Sequence, residues 1–384
     1  MTVTAGAARA FSTDPAQSAL LPASWYYDPA ILAAEKEAIY FKSWQFAGAL
    51  YDLPEPGCYF TATILDQSVI VLRDKKGKLR AYFNVCAHRG HEIVQGAGQK
   101  MILTCPYHSW SYDLDGALKA AGNAENVKGF DFNEFGLTEI RVEAFANMAF
   151  VNFDSGATPL AAIAGELEAD FRRVVPDFDR LVPFRRDHYD IKSNWKIVIE
   201  NFLECYHCPV VHPGVMGEEN ANMQPSWESE DCGHFSRHII RAHPEEVQQQ
   251  ATEKLPFDFR KGGPIKDSYL WGLWPNVCFI ARPGDSNFQV FHVMPSGPET
   301  THETLVNFGK GGAPEAPELA SFDRFRDELN WQDVGVVESV QRAIHSKGFK
   351  GGRLMVDPDN SWRSEGSVHH FDTMVWEAVS GERR

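Results

Sequence analysis

Two short Cys/His pairs, Cys86 with His88 and Cys105 with His108, stand 16 residues apart in a chain of 384. They constrain the fold more than any other feature, because two thiols and two imidazoles presented this way need two tight loops held side by side. A [2Fe–2S] unit with one iron on two thiolates and the other on two imidazoles needs two hairpin tips, each offering one ligand of each kind. Tetrahedral zinc accepts the same four residues. A third reading, unligated core residues, is disfavoured because His is seldom fully buried. Asp115 and Gly116, just past the second pair, read as a tight turn between strands and place that pair at a β-hairpin.

A second constellation lies in NWKIVIENFLECYHCPVVHPG, Asn194 to Gly214. Its periodicity predicts a helix from Asn194 to Cys208, with Ile197, Leu203, Glu204 and His207 roughly on one side and a stop at Pro209. His212, beyond the proline, can return to the same point from a loop. Two imidazoles so placed begin a two-His, one-carboxylate site, which holds Fe(II) on one face and leaves positions open for dioxygen. The carboxylate has to come from elsewhere. Asp333, in NWQDVGVVESVQRAIHS, is the candidate, since on a helix it shares a face with Val337, Val340, Gln341 and Ile344. An acid on an apolar stripe destabilises unless paired or metal-bound. The plainer reading is an N-cap of that helix, and Asp327 and Glu328 are rival carboxylates.

The rest of the chain organises around these motifs. Asp28 and Pro29 open a helix through Ile31, Leu32, Ile39 and Tyr40. From about Ser43 to Phe153, short alternating runs such as SVIVLR and MAFVNF between glycine turns predict antiparallel strands. A break at FDSGATP precedes the helical LAAIAGELEADFRRVV. Residues 214–266 read as polar and irregular, either a lid or a surface insertion. Strands return in VCFIAR, FQVFHVMP and THETLVNF, and a helix near Val368 to Val379 closes the chain. The predicted division is 1–42 packing with the C-terminal part, 43–155 around the Cys/His pairs, and 156–384 around the second site. An antiparallel sheet wrapped on helices, α+β, fits that last domain.

Composition excludes some partners. With 52 acidic against 37 basic residues, the net charge of −15 argues against nucleic acid or an anionic membrane. No run approaches a membrane span, and the first residues lack the charged start and apolar core of a secretion signal. Among seven cysteines, Cys58, Cys205, Cys208, Cys232 and Cys278 show no disulfide framework. A reducing cytoplasm is the expected location. The Gly96–Ala97–Gly98 cluster lacks the dinucleotide fingerprint, so no nicotinamide or flavin site is expected.

CAHRG (86–90), CPYHSWSYDLDG (105–116), NWKIVIENFLECYHCPVVHP (194–213) and DVGVVESVQ (333–341) together resemble, over nearly the whole chain, the oxygenase component of the Rieske non-haem iron oxygenases. The resemblance implies an N-terminal antiparallel-β Rieske [2Fe–2S] domain and a helix-grip catalytic domain with a mononuclear Fe(II). Cys86, His88, Cys105 and His108 would hold the cluster; His207, His212 and Asp333 would hold the iron. Glu204 would bridge the two centres across subunits of a homotrimer. Glutamate at that position looks more like the members acting on quaternary ammonium compounds (choline, glycine betaine, carnitine, stachydrine) than the ring-hydroxylating ones, many of which carry aspartate.

The expected reaction is O2-dependent hydroxylation of a substrate C–H, which on an N-methyl group yields a carbinolamine that releases formaldehyde. Electrons would come from NADH or NADPH through a separate flavin or iron–sulfur reductase. Asn201 either faces the open side of the iron or is a surface amide. A trimethylammonium group needs aromatic faces, and Trp271 and Trp274, with Phe202 and Tyr206, are the candidates, against the plainer reading of core aromatics. Rival functions are an aromatic ring-hydroxylating dioxygenase or O-demethylase, a pure electron carrier, and a zinc-stabilised binding protein.

Overall fold

The computed structural model describes residues 11–212, 227–241 and 263–382. The chain divides into two compact units, one of Tyr40–Ile163 and the other of the remaining residues on both sides.

In the first unit the alternating runs become strands β1 (Gln45–Ala49), β2 (Cys58–Ile64), β3 (Gln67–Arg73), β4 (Leu79–Phe83), β5 (Ala97–Gln99), β6 (Leu103–Thr104), β7 (Ser111–Tyr112), β8 (Leu118–Ala120), β9 (Glu139–Phe145) and β10 (Met148–Asn152). They form a seven-stranded sheet in the order β1-β10-β9-β4-β3-β2-β5 and a three-stranded sheet β6-β7-β8. Gly116 makes the β7–β8 turn at φ +87°, a conformation L side chains rarely adopt. Tyr59, Ile70, Leu72, Tyr82, Leu103 and Tyr112 are buried in one core behind the two Cys/His loops.

The second unit is a seven-stranded antiparallel sheet, order β11-β17-β16-β15-β14-β13-β12. Its strands are β11 (Leu181–Ile191), β12 (Trp227–Asp231), β13 (Phe235–Ile240), β14 (Ser268–Leu273), β15 (Val277–Ala281), β16 (Asn287–Gly297) and β17 (Thr300–Lys310). Strands β12 and β13 lie inside the stretch that read as irregular. WESED looks polar because β12 ends the sheet and buries little besides Trp227. The segments EENANMQ and HPEEVQQQ, and with them the lid expectation, fall outside the described residues.

Strand alternation gives the sheet two distinct faces. Trp271 and Phe279 pair across β14 and β15, and their rings meet Phe171 of helix Leu167–Val174 at 5.0 and 4.9 Å. Gly272 and Cys278 point the other way. A Cβ on Gly272 would stand 2.9 Å from Leu203, so that face carries helix Trp195–Phe202.

This helix is shorter than its periodicity predicts. Asn194 caps it by accepting from the Lys196 N–H, and it ends at Leu203. Pro209 then sits in the first turn of a separate short helix, Cys208–Val211, rather than stopping the first. The expected absence of disulfides also fails at this point. Leaving the helix at Leu203 brings Cys205 and Cys208 to a Cα separation of 5.0 Å, and they are joined.

Helix Pro29–Glu35, capped by Asp28, is tied to the same segment by buried charge. The Lys196 ammonium donates to Glu35 at 2.5 Å and to the Trp25 carbonyl, while Trp195 Nε1 donates to the other Glu35 oxygen. Both charged side chains are wholly buried. Removing one member of such a pair strands the other. Glu35→Ala is therefore expected to cost about 3–5 kcal/mol in denaturant unfolding, and adding Lys196→Met should restore much of the loss. A shift in Glu35→Ala below roughly 1 kcal/mol would mean that the pair is solvated.

Candidate metal centres and active site

The two Cys/His loops are built alike. Cys86 N–H donates to the His91 carbonyl and Cys105 N–H to the Trp110 carbonyl, both at 2.8 Å. Gly90 N–H returns to the Cys86 carbonyl as Ser109 N–H does to that of Cys105. Gly90 and Ser109 occupy equivalent places with φ of +74° and +59°, so the second loop holds a serine in a region that favours glycine. Both thiols are buried while both imidazoles are exposed.

The His88 and His108 rings lie 4.5 Å apart, and His88 stacks on Trp110. Tyr112 places its hydroxyl 3.2 Å from Cys86 Sγ and 3.1 Å from the Ala87 N–H. Burial pushes the Cys105 thiol up, and the neighbouring Cys86 adds to it, because both disfavour the charged thiolate. Among the described residues, these four side chains are not a set that converges on a single point as one zinc would require, which favours a two-metal cluster.

The residues that do converge are His207, His212 and Asp333, whose ligand atoms all lie within 4.8 Å of one another. His212 Nε2 is 3.1 Å and His207 Nε2 3.4 Å from Asp333 Oδ1. That oxygen is buried and receives no well-directed hydrogen bond. The opposite edge of each ring is held: His207 Nδ1 by Glu204 Oε1 at 2.5 Å, and His212 Nδ1 by Gln332 Oε1 at 2.8 Å. Each imidazole is thus turned with Nε2 toward the carboxylate, the arrangement by which outer partners orient metal-binding histidines.

Burial alone would lower the His207 pKa, but Asp333 and Glu204 reverse this and carry it to about 9. His212 is raised mainly by Asp333 against the same burial. Burial would raise the Asp333 carboxyl, yet the two imidazoles hold it below the usual carboxylate range. Two nitrogens, each on a ring oriented from behind, and one carboxylate oxygen fit a divalent iron with open positions.

Asp333 lies in the first turn of helix Asn330–Ile344 but does not cap it. Helix Ala316–Arg324 and a π-turn, Phe325–Leu329, run into this helix without a break. Val337, Gln341 and Ile344 of its expected face are buried, whereas Val340 is exposed. The rival acids are engaged elsewhere, Asp327 by Arg326 and Glu328 by Arg324. Three bonds lock residues 192–194 to helix Asn330–Ile344: Asn194 N–H to Gln341 Oε1, Ser193 Oγ to the Val337 carbonyl, and Lys192 N–H to Glu338 Oε1, while Thr301 Oγ1 of β17 donates to the Ser193 carbonyl.

Glu204 also accepts from the Tyr206 and His207 N–H groups, so its side chain competes with the helix and ends it. Asn201 is half-buried on helix Trp195–Phe202. The Phe202 ring lies 6.0 Å from Phe291, and Tyr206 is 43% exposed.

The tryptophan pair is a correction. Trp271 is fully buried on the sheet face away from this helix, among Phe171, Tyr269 and Phe288. Trp274 packs on Phe371 and lines a small cavity with Ile199 and Leu203. The two do not form opposing walls, because residues three apart on a strand and its exit cannot share a face by alternation. Sequence reasoning missed Gln332, whose side chain holds the His212 ring, although its place next to Asp333 carried a usable signal.

Comparison with known proteins gives two family matches: the Rieske [2Fe-2S] domain over residues 43–131 and the ring hydroxylating alpha subunit (catalytic domain) over 178–381. Relatives include the carnitine monooxygenase oxygenase subunit of Escherichia coli K12, 31% identical over 367 residues that cover 95% of each chain. The chloroplastic choline monooxygenase of Spinacia oleracea is 28% identical over 91% of this chain and 76% of its own. Among solved structures, the quaternary ammonium Rieske monooxygenase CntA in complex with L-carnitine matches with a TM-score of 0.84 at 26% identity, covering 98% of this chain and all of the other.

If the Tyr112 hydroxyl stabilises a reduced cluster through its contact with Cys86 Sγ, Tyr112→Phe should lower the reduction potential by roughly 50–100 mV while the visible bands persist. An unchanged potential in protein film voltammetry would show that the hydroxyl serves the loop alone.

Proposed function

The chain belongs to the Rieske-type ring-hydroxylating oxygenase alpha subunits, and from that premise we propose that it hydroxylates an N-methyl or adjacent C–H of a quaternary ammonium compound. The supporting observation is the His207–His212–Asp333 triad with its oriented rings, in a chain whose relatives are named for carnitine and choline. A pure electron carrier has no use for an oxygen-accessible iron.

When bound, the mononuclear iron supplies O2 activation and the [2Fe–2S] cluster supplies single electrons. Cys86 and Cys105 would hold one cluster iron and His88 and His108 the other. The exposed imidazole edges would leave the cluster within reach of an electron partner. His207, His212 and Asp333 would hold the second centre. Glu204 fixes the His207 tautomer by accepting from Nδ1, and its carboxylate can accept a further hydrogen bond from a cluster histidine of a neighbouring subunit in a homotrimer. Phe202 and Phe291 offer apolar ring faces near the iron segment to a trimethylammonium group. Asn201, half-buried on helix Trp195–Phe202, would be a polar group on the open side of the iron.

A separate reductase, drawing on NADH or NADPH, would deliver the electrons. Fe(II) and cluster thiolates suit a reducing cytoplasm, and no helix among the described residues is long and apolar enough to cross a membrane. The Cys205–Cys208 bridge makes the cysteines a weaker guide to compartment than the metals.

The direct test supplies purified oxygenase, a generic reductase, NADH and O2 with carnitine, γ-butyrobetaine, choline, glycine betaine and benzoate, scored by product mass and formaldehyde. Oxidation of the methylated amines is expected, and turnover confined to the aromatic acid would overturn the reading. Asp333→Ala should drop the iron content from about three to about two per chain with the cluster spectrum intact. Glu204→Gln should keep all the iron yet lose at least about tenfold in kcat.

A further inference from the structure

Arg282 is a partly buried cation at the end of a strand in the second unit. It follows β15 on the same face as Cys278 and Ile280, the face that carries helix Trp195–Phe202. Its Nε donates to Gln289 Oε1, and Gln289 Nε2 in turn donates to Asn307. The guanidinium lies 4.0 Å from the Phe325 ring centroid and 5.5 Å from that of Phe322.

Among the described residues, no hydrogen bond or ion pair reaches its two terminal amino groups, and they are not sealed from solvent. The adjacent acids are taken: Arg185 holds both Asp187 and Asp323. Burial, with the nearby Arg185 cation, pushes the Arg282 pKa down to about 9, still high enough to leave it charged at neutrality. Desolvating a guanidinium without an anion is costly, and a planar fork of free N–H donors matches a carboxylate.

Its position relative to the iron segment gives the anchor a direction. Phe325 lies 5.7 Å from Phe291, which lies 6.0 Å from Phe202 on helix Trp195–Phe202. This line of rings leads from Arg282 toward the iron ligands. Along the helical run, Phe325 precedes Asp333 by eight residues, a rise of roughly 12 Å. Along β17, buried Glu303 and Asn307 are four residues apart on one face, about 13 Å. Glu303, which accepts from Asn330, lies close enough to Asp333 to feel its charge. The face is therefore acidic at the iron end, aromatic between, and cationic at Arg282.

We propose that Arg282 is the carboxylate anchor of the substrate site, so that the preferred substrate is a zwitterion with a trimethylammonium group at one end and a carboxylate at the other. This rests on the oxygenase reading for the location of the reacting end. Arg282 acts as a specificity-determining residue and takes no part in the chemistry. Compounds with a hydroxyl in place of the carboxylate lose the anchor and keep the rings.

The test measures equilibrium binding to the cluster- and iron-loaded protein by calorimetry, and KM where turnover occurs, with γ-butyrobetaine, choline and butyrate as probes. Arg282→Gln should weaken γ-butyrobetaine and butyrate by about 10- to 100-fold while choline changes by less than about threefold. Arg282→Lys should recover part of the loss. Equal weakening of all three probes would make Arg282 a packing residue, and an unchanged γ-butyrobetaine affinity or no binding of either carboxylate to the unsubstituted protein would remove the anchor. If butyrate binds through Arg282 but no methylated amine is oxidised, the anchor stands and the quaternary ammonium reading falls.

Discussion

The second unit depends on one enforced meeting: the Asp333 carboxylate placed between His207 and His212, which lie more than a hundred residues earlier in the chain. Attraction between a carboxylate and imidazoles is insufficient to specify it, since similar pairs form on any surface. What specifies it is the set of neutral hydrogen bonds from Ser193 and Asn194 to Val337 and Gln341, made where both segments are buried. Buried polar groups must be paired, so these contacts fix the register of one helix on the other. The ligands then have little freedom to miss. Glu204 and Gln332 add the last constraint by choosing which ring nitrogen faces inward.

The first unit solves a similar problem by repetition. Two loops with the same main-chain bonds present a thiol inward and an imidazole outward, and the core behind them holds the pair in place. The thiols are withdrawn from water and the imidazoles stand at the surface. Asymmetry enters through Tyr112 at Cys86 and Trp110 at His88, so the two loops are alike in backbone but not in electronic surroundings.

Much of this could be read from residues alone. Ligand spacing reveals metal sites because few other pressures place Cys and His in matched short pairs, and alternation revealed the strands because their inward faces are apolar. The helix through Cys208 misled because hydrophobic period does not register a carboxylate that captures main-chain N–H groups, as Glu204 does. WESED was missed because an edge strand buries too little to show a period. Trp271 looked like a cage wall because composition reports rings without saying which side of a sheet they occupy. Arg282 was invisible for the opposite reason: a cation at a strand end has meaning only once the side chains around it are known.

The π-turn Phe325–Leu329 carries a further consequence. A wider turn holds one more residue than an α-turn, and each residue sets everything after it by about 100° around the axis. Phe325 and Asp333 keep their respective orientations only at that phase. A chain one residue shorter here could pack an unbroken α-helix against the same sheet and still direct its aspartate away from the histidines. Metal binding in this scaffold is thus encoded partly as a count of residues, separable from fold stability, and a one-residue deletion could silence the centre without unfolding the protein.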